Sequence, residues 1–496
     1  MARLRRGGAP AFRGVVQRSC RIERDRIRPD QQTRASQTEG TGLTSFAIIG
    51  DTIMKISRVS RAAGRLGLTV GGEAMQSGVH FALNIVLIHL LPARDYGVFA
   101  ITMVIGGIGL TYTRSLTAMP ACIYIGRSRS KEGAKFYEGA FGAAAIVVSG
   151  LIALIAVVPL AAEAPTSAVA GAGFVGLWCG RSHLRTVHFA FGRYRIATLG
   201  DLAFATSGGL LAALAVWRGG NPVTDVFIAL AVGNLLGSVT MQLLAGEPVR
   251  ARFDRRARSF YLRLLRRLSW SASSVTTANL QSQGISLLVV GLTGPAAYAP
   301  IAAMLVVFAP LRIAGSALAN LIQPEMSKLA ANGGVEEIRS LSRRCMLIFG
   351  IAGLVYGAAA MALLPLIKSP SLEGAPIYFI GIFAWLTYLL SLLSVAPRII
   401  LEVLMRFRSM ASITAAGAVV GTAVIAIMLQ FAPASWALAG AALAEAIVLV
   451  AAWVVAMRGL RALATGKPTR AKAKQATKPP MDKDHGALIP LMMKSS

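Results

Sequence analysis

From residue 66 onward the sequence is a succession of apolar runs near 20 residues long, separated by short polar stretches. A helix rises 1.5 Å per residue, so such a run crosses a hydrocarbon core of about 30 Å. In lipid the backbone N–H and C=O groups find partners only in a helix or a closed barrel, and runs of this length fit the helix. Twelve spans follow, at 67–91, 96–121, 139–161, 168–190, 196–217, 224–245, 268–292, 297–323, 345–367, 376–396, 409–431 and 435–457. Composition agrees. Charged residues are 15% of the 496 and apolar residues 55%, with a mean hydropathy of +0.60, whereas an ordinary globular domain is about 25% charged. This excludes a string of soluble domains and an intrinsically disordered chain. A collagen-like chain is excluded too, because the 50 Gly follow no triplet period. The predicted fold class is an all-α polytopic membrane protein with about 12 transmembrane helices.

The connections alternate in length and charge. Those after the odd-numbered spans are short: Pro92–Asp95, Ala162–Thr166, Arg218–Val223, Thr293–Ala296, Lys368–Ala375 and Ala432–Ala434. They hold three cations, Arg94, Arg218 and Lys368. The long connections and the two ends, counted from Lys55 and taking in Arg181 and Arg185 from the second half of the fourth span, hold 36, eight of them Arg between Arg250 and Arg267. By the positive-inside rule this asymmetry puts the long connections and both termini in the cytosol. It also accounts for the net charge of +29 without a nucleic-acid partner. The basic tail at 461–496 is read as a cytosolic anchor to anionic membrane lipids.

Residues 1–53 hold ten Arg, no Lys, five acids and no apolar run long enough for a secretory signal. The acids also argue against a transit peptide. The segment is read as a disordered basic extension ahead of Met54-Lys55-Ile56-Ser57-Arg58, which resembles a start. Cys20, Cys122, Cys179 and Cys345 have no metal-binding spacing and are read as free thiols. His89, His183, His188 and His485 form no metal constellation, and no cofactor motif is present.

The chain repeats itself. Asp95-Tyr96-Gly97-Val98-Phe99-Ala100 aligns with Ala297-Tyr298-Ala299-Pro300-Ile301-Ala302 at an offset of 202, each Tyr opening an even-numbered span. At an offset of 203, Glu73, Gln76 and His80 of the first span align with Thr276, Asn279 and Gln283 of the seventh. Both sets have spacing i, i+3, i+7, which makes one polar stripe on a helix. An even number of spans per repeat gives halves of parallel topology. Residues 54–250 and 251–460 are therefore read as two parallel six-helix bundles, an arrangement typical of alternating-access transporters.

The segment Leu90-Leu91-Pro92-Ala93-Arg94-Asp95-Tyr96-Gly97-Val98-Phe99-Ala100 resembles the first outside loop of the Wzx-like polysaccharide flippases. Its echo Leu292-Thr293-Gly294-Pro295-Ala296-Ala297-Tyr298, with Leu321-Ile322-Gln323-Pro324-Glu325-Met326-Ser327, resembles their seventh and eighth helices. These belong to the polysaccharide transporter branch of the multidrug/oligosaccharidyl-lipid/polysaccharide exporter superfamily. Over roughly 54–460, the resemblance implies a transporter in the bacterial inner membrane. Its cargo would be undecaprenyl-diphosphate-linked sugar repeats for O-antigen, capsule or exopolysaccharide. Polysaccharide polymerase and chain-length or export proteins would be its partners.

Candidate site residues follow from the cost of burying charge. Arg312 and Arg114 lie inside the eighth and second spans, where an arginine costs at least about 2.5–3.5 kcal/mol unless it faces a cavity or a partner. They are candidates for binding a diphosphate, for which a guanidinium fork is well shaped; Arg114 can instead snorkel to the cytosolic face. Gln76, Thr276, Asn279 and Gln283 either line the same cavity or bond helices together. Glu73, His80 and Glu445 are candidates for ion coupling, with a structural pairing as the alternative and a buried ion pair favoured for Glu445. The rival functions are a cation-coupled multidrug exporter of the same superfamily and a membrane-embedded polymerase, ligase or glycosyltransferase. Intramembrane Arg weighs against the first, and short outside loops without an acid or His constellation weigh against the enzymes.

The charge asymmetry makes a direct prediction. Reporter fusions at Ala164, Gly219 and Gly374 should read periplasmic, and fusions at Lys131, Asp254 and Ala331 cytosolic. A periplasmic signal at Asp254 would break the six-plus-six arrangement.

Overall fold

The computed structural model describes residues 67–68 and 71–464. The extension at 1–53 and nearly all of the tail lie outside the described residues. Twelve helices are described. The first six are α1 at 71–90, α2 Ala93–Arg127, α3 Lys131–Glu163, α4 Pro165–Ala190, α5 Tyr194–Arg218 and α6 Pro222–Leu244. The second six are α7 Arg255–Thr293, α8 with arms Pro295–Val307 and Ala309–Ala331, α9 Val335–Leu363, α10 Ile377–Val403, α11 Phe407–Phe431 and α12 Ala437–Ala464. The arms of α8 meet at a 49° bend, and α2 carries a π-helical turn at Arg114–Ala118. Among the described residues eight helices are long and apolar enough to cross a membrane, nine when α8 is taken as one bent span. α1, α4 and α7 are long enough but more polar. The protein is an all-α polytopic membrane protein.

Proline sets the returns on the short-loop face. Pro165, Pro222 and Pro295 stand in the first turn of α4, α6 and α8, and Pro92 and Pro376 immediately precede α2 and α10. A helix start needs no N–H there, and the fixed φ of proline suits the entry. On the opposite, basic face the helices run beyond the apolar spans. α3, α7 and α9 begin at Lys131, Arg255 and Val335, not at 139, 268 and 345 as hydropathy suggested. Hydropathy marks where the lipid ends, and these helices continue past that edge. For α7 the extension is about 20 Å at 1.5 Å per residue. It is capped by Asp254, whose carboxylate accepts from the Ala257 N–H at 2.6 Å. That bond and the neighbouring Arg252 hold the carboxyl below its usual range. The extension buries Ala257 and Leu264 and packs Phe260 among Tyr124, Tyr137 and Phe141.

Helix pairing repeats between the halves. In the first half α2, α3 and α6 pack on α4, and α5 packs on α6; in the second α8, α9 and α12 pack on α10, and α11 packs on α12. Small residues permit the closest approaches, as membrane packing favours. A Cβ on Gly233 of α6 would lie 2.7 Å from the Cα of Gly208 on α5. Between halves, α2 packs on α7 and α8, and a Cβ on Gly97 would lie 1.9 Å from the Pro295 carbonyl oxygen.

Four helices of the first half are fastened by a buried charge network. The Arg181 and Asp201 side chains are fully buried and paired at 2.6 Å. Arg181 Nε donates to Asn234 Oδ1 at 2.8 Å and its second terminal nitrogen to Gln76 Oε1. Its guanidinium also lies over the Phe204 ring, 4.3 Å from the centroid. Arg185 binds the other Asp201 oxygen and Glu73, each at 2.7 Å. A charge out of water is tolerated when every polar atom is met, and here α1, α4, α5 and α6 all contribute. Asp201 serves two arginines, so the two ends of the pair are unequal. Asp201→Asn leaves the fully buried Arg181 without its carboxylate and Arg185 with Glu73 alone, and should cost about 3–5 kcal/mol. Arg181→Met leaves Asp201 with Arg185 and should cost less. Thermal unfolding of the purified variants checks the order, and the reverse order would contradict this account of the network.

Candidate functional site

The polar residues singled out in the sequence fall into separate environments. Gln76 and Glu73 of α1 are held by Arg181 and Arg185, as described above. His80, one turn further, is buried against Trp178, Phe204 and Phe174 with ring centroids 4.7, 5.6 and 6.3 Å away. Neither of its ring nitrogens has a hydrogen-bond partner among the described residues.

The α7 stripe has a different role in this conformation. Asn279 and Thr111 of α2 share bonds of 2.8 and 3.2 Å, and Thr276 Oγ1 lies 2.6 Å from Tyr112 Oη. The ladder continues toward the basic face with Ser271 to Ser115 at 2.7 Å and the Tyr261 hydroxyl donating to the Leu116 carbonyl at 3.2 Å. These residues join the first half to the second. Gln283 is half-buried one turn beyond Asn279.

The repeat register explains why the two stripes part company. The Tyr96 hydroxyl donates to Asn84 Oδ1 at 3.3 Å and the Tyr298 hydroxyl to Ser286 Oγ at 2.8 Å. Both bonds span twelve residues and both pairs are related by 202, so 202 is the structural register of α1 and α7. The stripes align at 203. One residue is about 100° around a helix, so Glu73, Gln76 and His80 do not occupy the positions of Thr276, Asn279 and Gln283.

A closer counterpart of the first-half network lies elsewhere. The helices α7, α10 and α12 bring together Gln281, Arg398 and Glu445, just as α1, α4 and α6 bring together Gln76, Arg181 and Asn234. Gln281 Nε2 donates to Glu445 Oε1 at 3.2 Å, and Arg398 stands 3.8 Å from Glu445 Oε2. Glu445 thus sits in a half-buried, loosely closed ion pair. Arg398 Nε and one terminal nitrogen, with Glu445 Oε2, lack a hydrogen-bond partner among the described residues.

Arg114 and Arg312 differ from the other arginines inside the spans. Arg114 opens the π turn of α2, next to Ser115 of the α2–α7 ladder. Arg312 follows the bend of α8 by one turn, within electrostatic reach of Tyr298 and Tyr388. Both are exposed, and neither is in an ion pair among the described residues. On the short-loop face the halves are closed together. Gly97 meets Pro295 there, and the hydroxyls of Ser369 and Ser371 both donate to the Ile88 carbonyl, Ser371 at 3.0 Å. On the basic face a cavity of about 470 Å³ opens beside α8 and the α10–α11 turn, lined by Gln323, Ser327, Glu402, Met405 and Phe407.

Sequence reading missed Asp201, Asn234 and Arg398 as partners. One signal was available. Arg181 and Asp201 are each ten residues from Phe191 in the α4–α5 turn, so antiparallel helices bring them to one depth. Among the described residues no three His, Cys, Asp or Glu side chains come together as a metal site.

No protein-family model matches the chain, and no curated protein matches it. Solved structures do. A multidrug resistance MATE family transporter of the MOP superfamily, in its inward-facing conformation, has the same fold. The TM-score is 0.62 at 12% identity, over 81% of this chain and 99% of that one. A eukaryotic MATE transporter matches with a TM-score of 0.56 at 14% identity, over 82% of this chain and 99% of the other. At these identities the likeness is one of fold, and the fold of this chain is that of the MATE transporters.

Proposed function

We propose that the chain moves an anionic, lipid-linked saccharide across the bacterial inner membrane by alternating access, as a transporter and not an enzyme. The carrying observation is the pair Arg114 and Arg312, exposed within the second and eighth helices of a transporter fold and without an ion-pair partner among the described residues. An arginine in a span needs water or an anion. A diphosphate supplies several acceptor oxygens and at least two negative charges in the geometry a guanidinium fork favours. With the basic face in the cytosol, closure at Gly97 and Pro295 leaves the halves to receive cargo from the cytosolic leaflet. The lipid tail stays in the bilayer while the head group passes between the halves. Anionic lipids at the basic face, and polymerase and chain-length proteins taking over the product, are the partners this reading calls for. No nucleic acid, cofactor or metal enters it.

The fold likeness supports a cation-coupled multidrug exporter, taken here with a cationic drug as its cargo, equally well. Two unpaired arginines oppose that reading, since like charges repel most where the dielectric is low. Proteoliposomes loaded with an undecaprenyl-diphosphate oligosaccharide separate the two. Arg312→Ala should slow its translocation at least about tenfold, the loss of about 1.4 kcal/mol or more, with normal protein level in the membrane. Arg312→Lys should retain partial activity, because it keeps the charge without the fork. A well-expressed, fully active Arg312→Ala protein would remove the diphosphate from this account.

A further inference from the structure

The turn from α10 to α11 copies the turn from α4 to α5 with one departure. At the end of α4 the Gly192 N–H bonds to the Phe189 carbonyl at 2.9 Å and the Arg193 N–H to the His188 carbonyl at 2.8 Å. At the end of α10 the Met405 N–H bonds to the Glu402 carbonyl at 2.9 Å and the Arg406 N–H to the Leu401 carbonyl at 2.8 Å. This closure needs a residue in the left-handed region, where glycine carries no steric penalty. Gly192 takes it at φ 71°, and Met405 takes it at φ 56° as the one non-glycine residue with positive φ among the described residues. Packing does not hold Met405 there, because it is 74% exposed. A backbone outlier kept against local preference, with no place in the core, points to a role in binding.

Met405 and Phe407 form the apolar lip of the 470 Å³ cavity. Its polar wall is Glu402, Gln323 and Ser327, and the last two belong to the Leu321–Ser327 segment that stood out in the sequence. Gln323 Nε2 donates to Glu402 Oε2 at 3.0 Å, and the Ser327 hydroxyl donates to the Gln323 backbone carbonyl. That leaves the amide oxygen of Gln323 and the second Glu402 oxygen to accept from a ligand. Acceptors on one wall and an exposed aromatic ring on the other suit a polyhydroxylated ligand, whose hydroxyls donate and whose C–H face packs on the ring. The surroundings disfavour a cation, because Arg398 is within electrostatic reach of Glu402 and the exposed Lys328 and Arg408 adjoin the wall and the lip.

We propose that this cavity binds the saccharide head group at the cytosolic mouth, with Glu402, Gln323 and Ser327 making the polar contacts and Phe407 and Met405 the apolar ones. The assignment of the saccharide as part of the cargo rests on the function proposed above. The test uses the full chain in nanodiscs without any lipid diphosphate. N-acetylglucosamine, glucose, galactose and lactose are titrated calorimetrically, with tetraphenylphosphonium as the cationic comparator. At least one saccharide should bind. Glu402→Gln and Phe407→Ala should each weaken it about tenfold, as the loss of a buried contact does. Met405→Gly should weaken it while raising the unfolding temperature, because the turn relaxes as the lip is lost. The proposal is overturned if no saccharide of this set binds, or if binding is indifferent to all three substitutions. It is also overturned if tetraphenylphosphonium binds and Glu402→Gln abolishes that binding, which would make this an organic-cation site. Saccharide binding with the expected variant effects, alongside a fully active Arg312→Ala protein, would keep the mouth site and reject only the diphosphate reading.

Discussion

A guanidinium inside a bilayer must be met by an anion, by polar neighbours or by water, and this requirement sorts the interior of the molecule. Arg181 and Arg185 are met by Asp201, Glu73, Gln76 and Asn234, which ties four helices of the first half together. Arg398 is met incompletely by Glu445 at 3.8 Å. Arg114 and Arg312 are met by no acid among the described residues and are exposed. The first group explains how α1, α4, α5 and α6 stay together, and the last supports the anionic cargo proposed above.

The two halves share a plan and differ in how firmly it is executed. Equivalent helices pair in each half, and equivalent tyrosines bond back twelve residues to the preceding helix. In the first half the charge network is closed, and a run of rings from Phe204 through His80, Trp178, Phe174, Phe227 and Phe99 to Tyr96 fills the interior above it. In the second half the corresponding ion pair is open, α8 bends by 49°, and a methionine stands where the first half has a glycine. The first half reads as a frame. The departures that point to function concentrate in the second, apart from Arg114 and the π turn of α2.

Much of this was legible in the sequence, and the gaps have physical causes. Twelve helices in the expected order follow from hydropathy and from prolines at the short returns, because lipid leaves the backbone few choices. The tyrosine repeat at 202 was visible as a motif and is a structural register. Helix ends on the basic face were not legible, since arginines outside the lipid extend a helix as readily as they make a loop; α7 gains its first turns that way. The polar stripes aligned at 203 because i, i+3, i+7 spacing is common by chance, and only the Tyr96–Asn84 and Tyr298–Ser286 bonds discriminate between registers one residue apart. For Arg181 the charge was legible and its partner was not, because the partner lies on the next helix and the residues between them are a turn of unstated geometry.

The central claim is that the unpaired arginines face water between the halves. It is tested most directly by the reactivity of single cysteines, introduced as Arg312→Cys and Arg114→Cys in a chain lacking its four native cysteines, toward a charged, membrane-impermeant thiosulfonate applied from the cytosolic side. The account predicts that both positions react, and that Ala212→Cys, at a fully buried α5 position, does not. Protection of position 312 at the level of Ala212→Cys would place Arg312 against lipid or protein and contradict the claim.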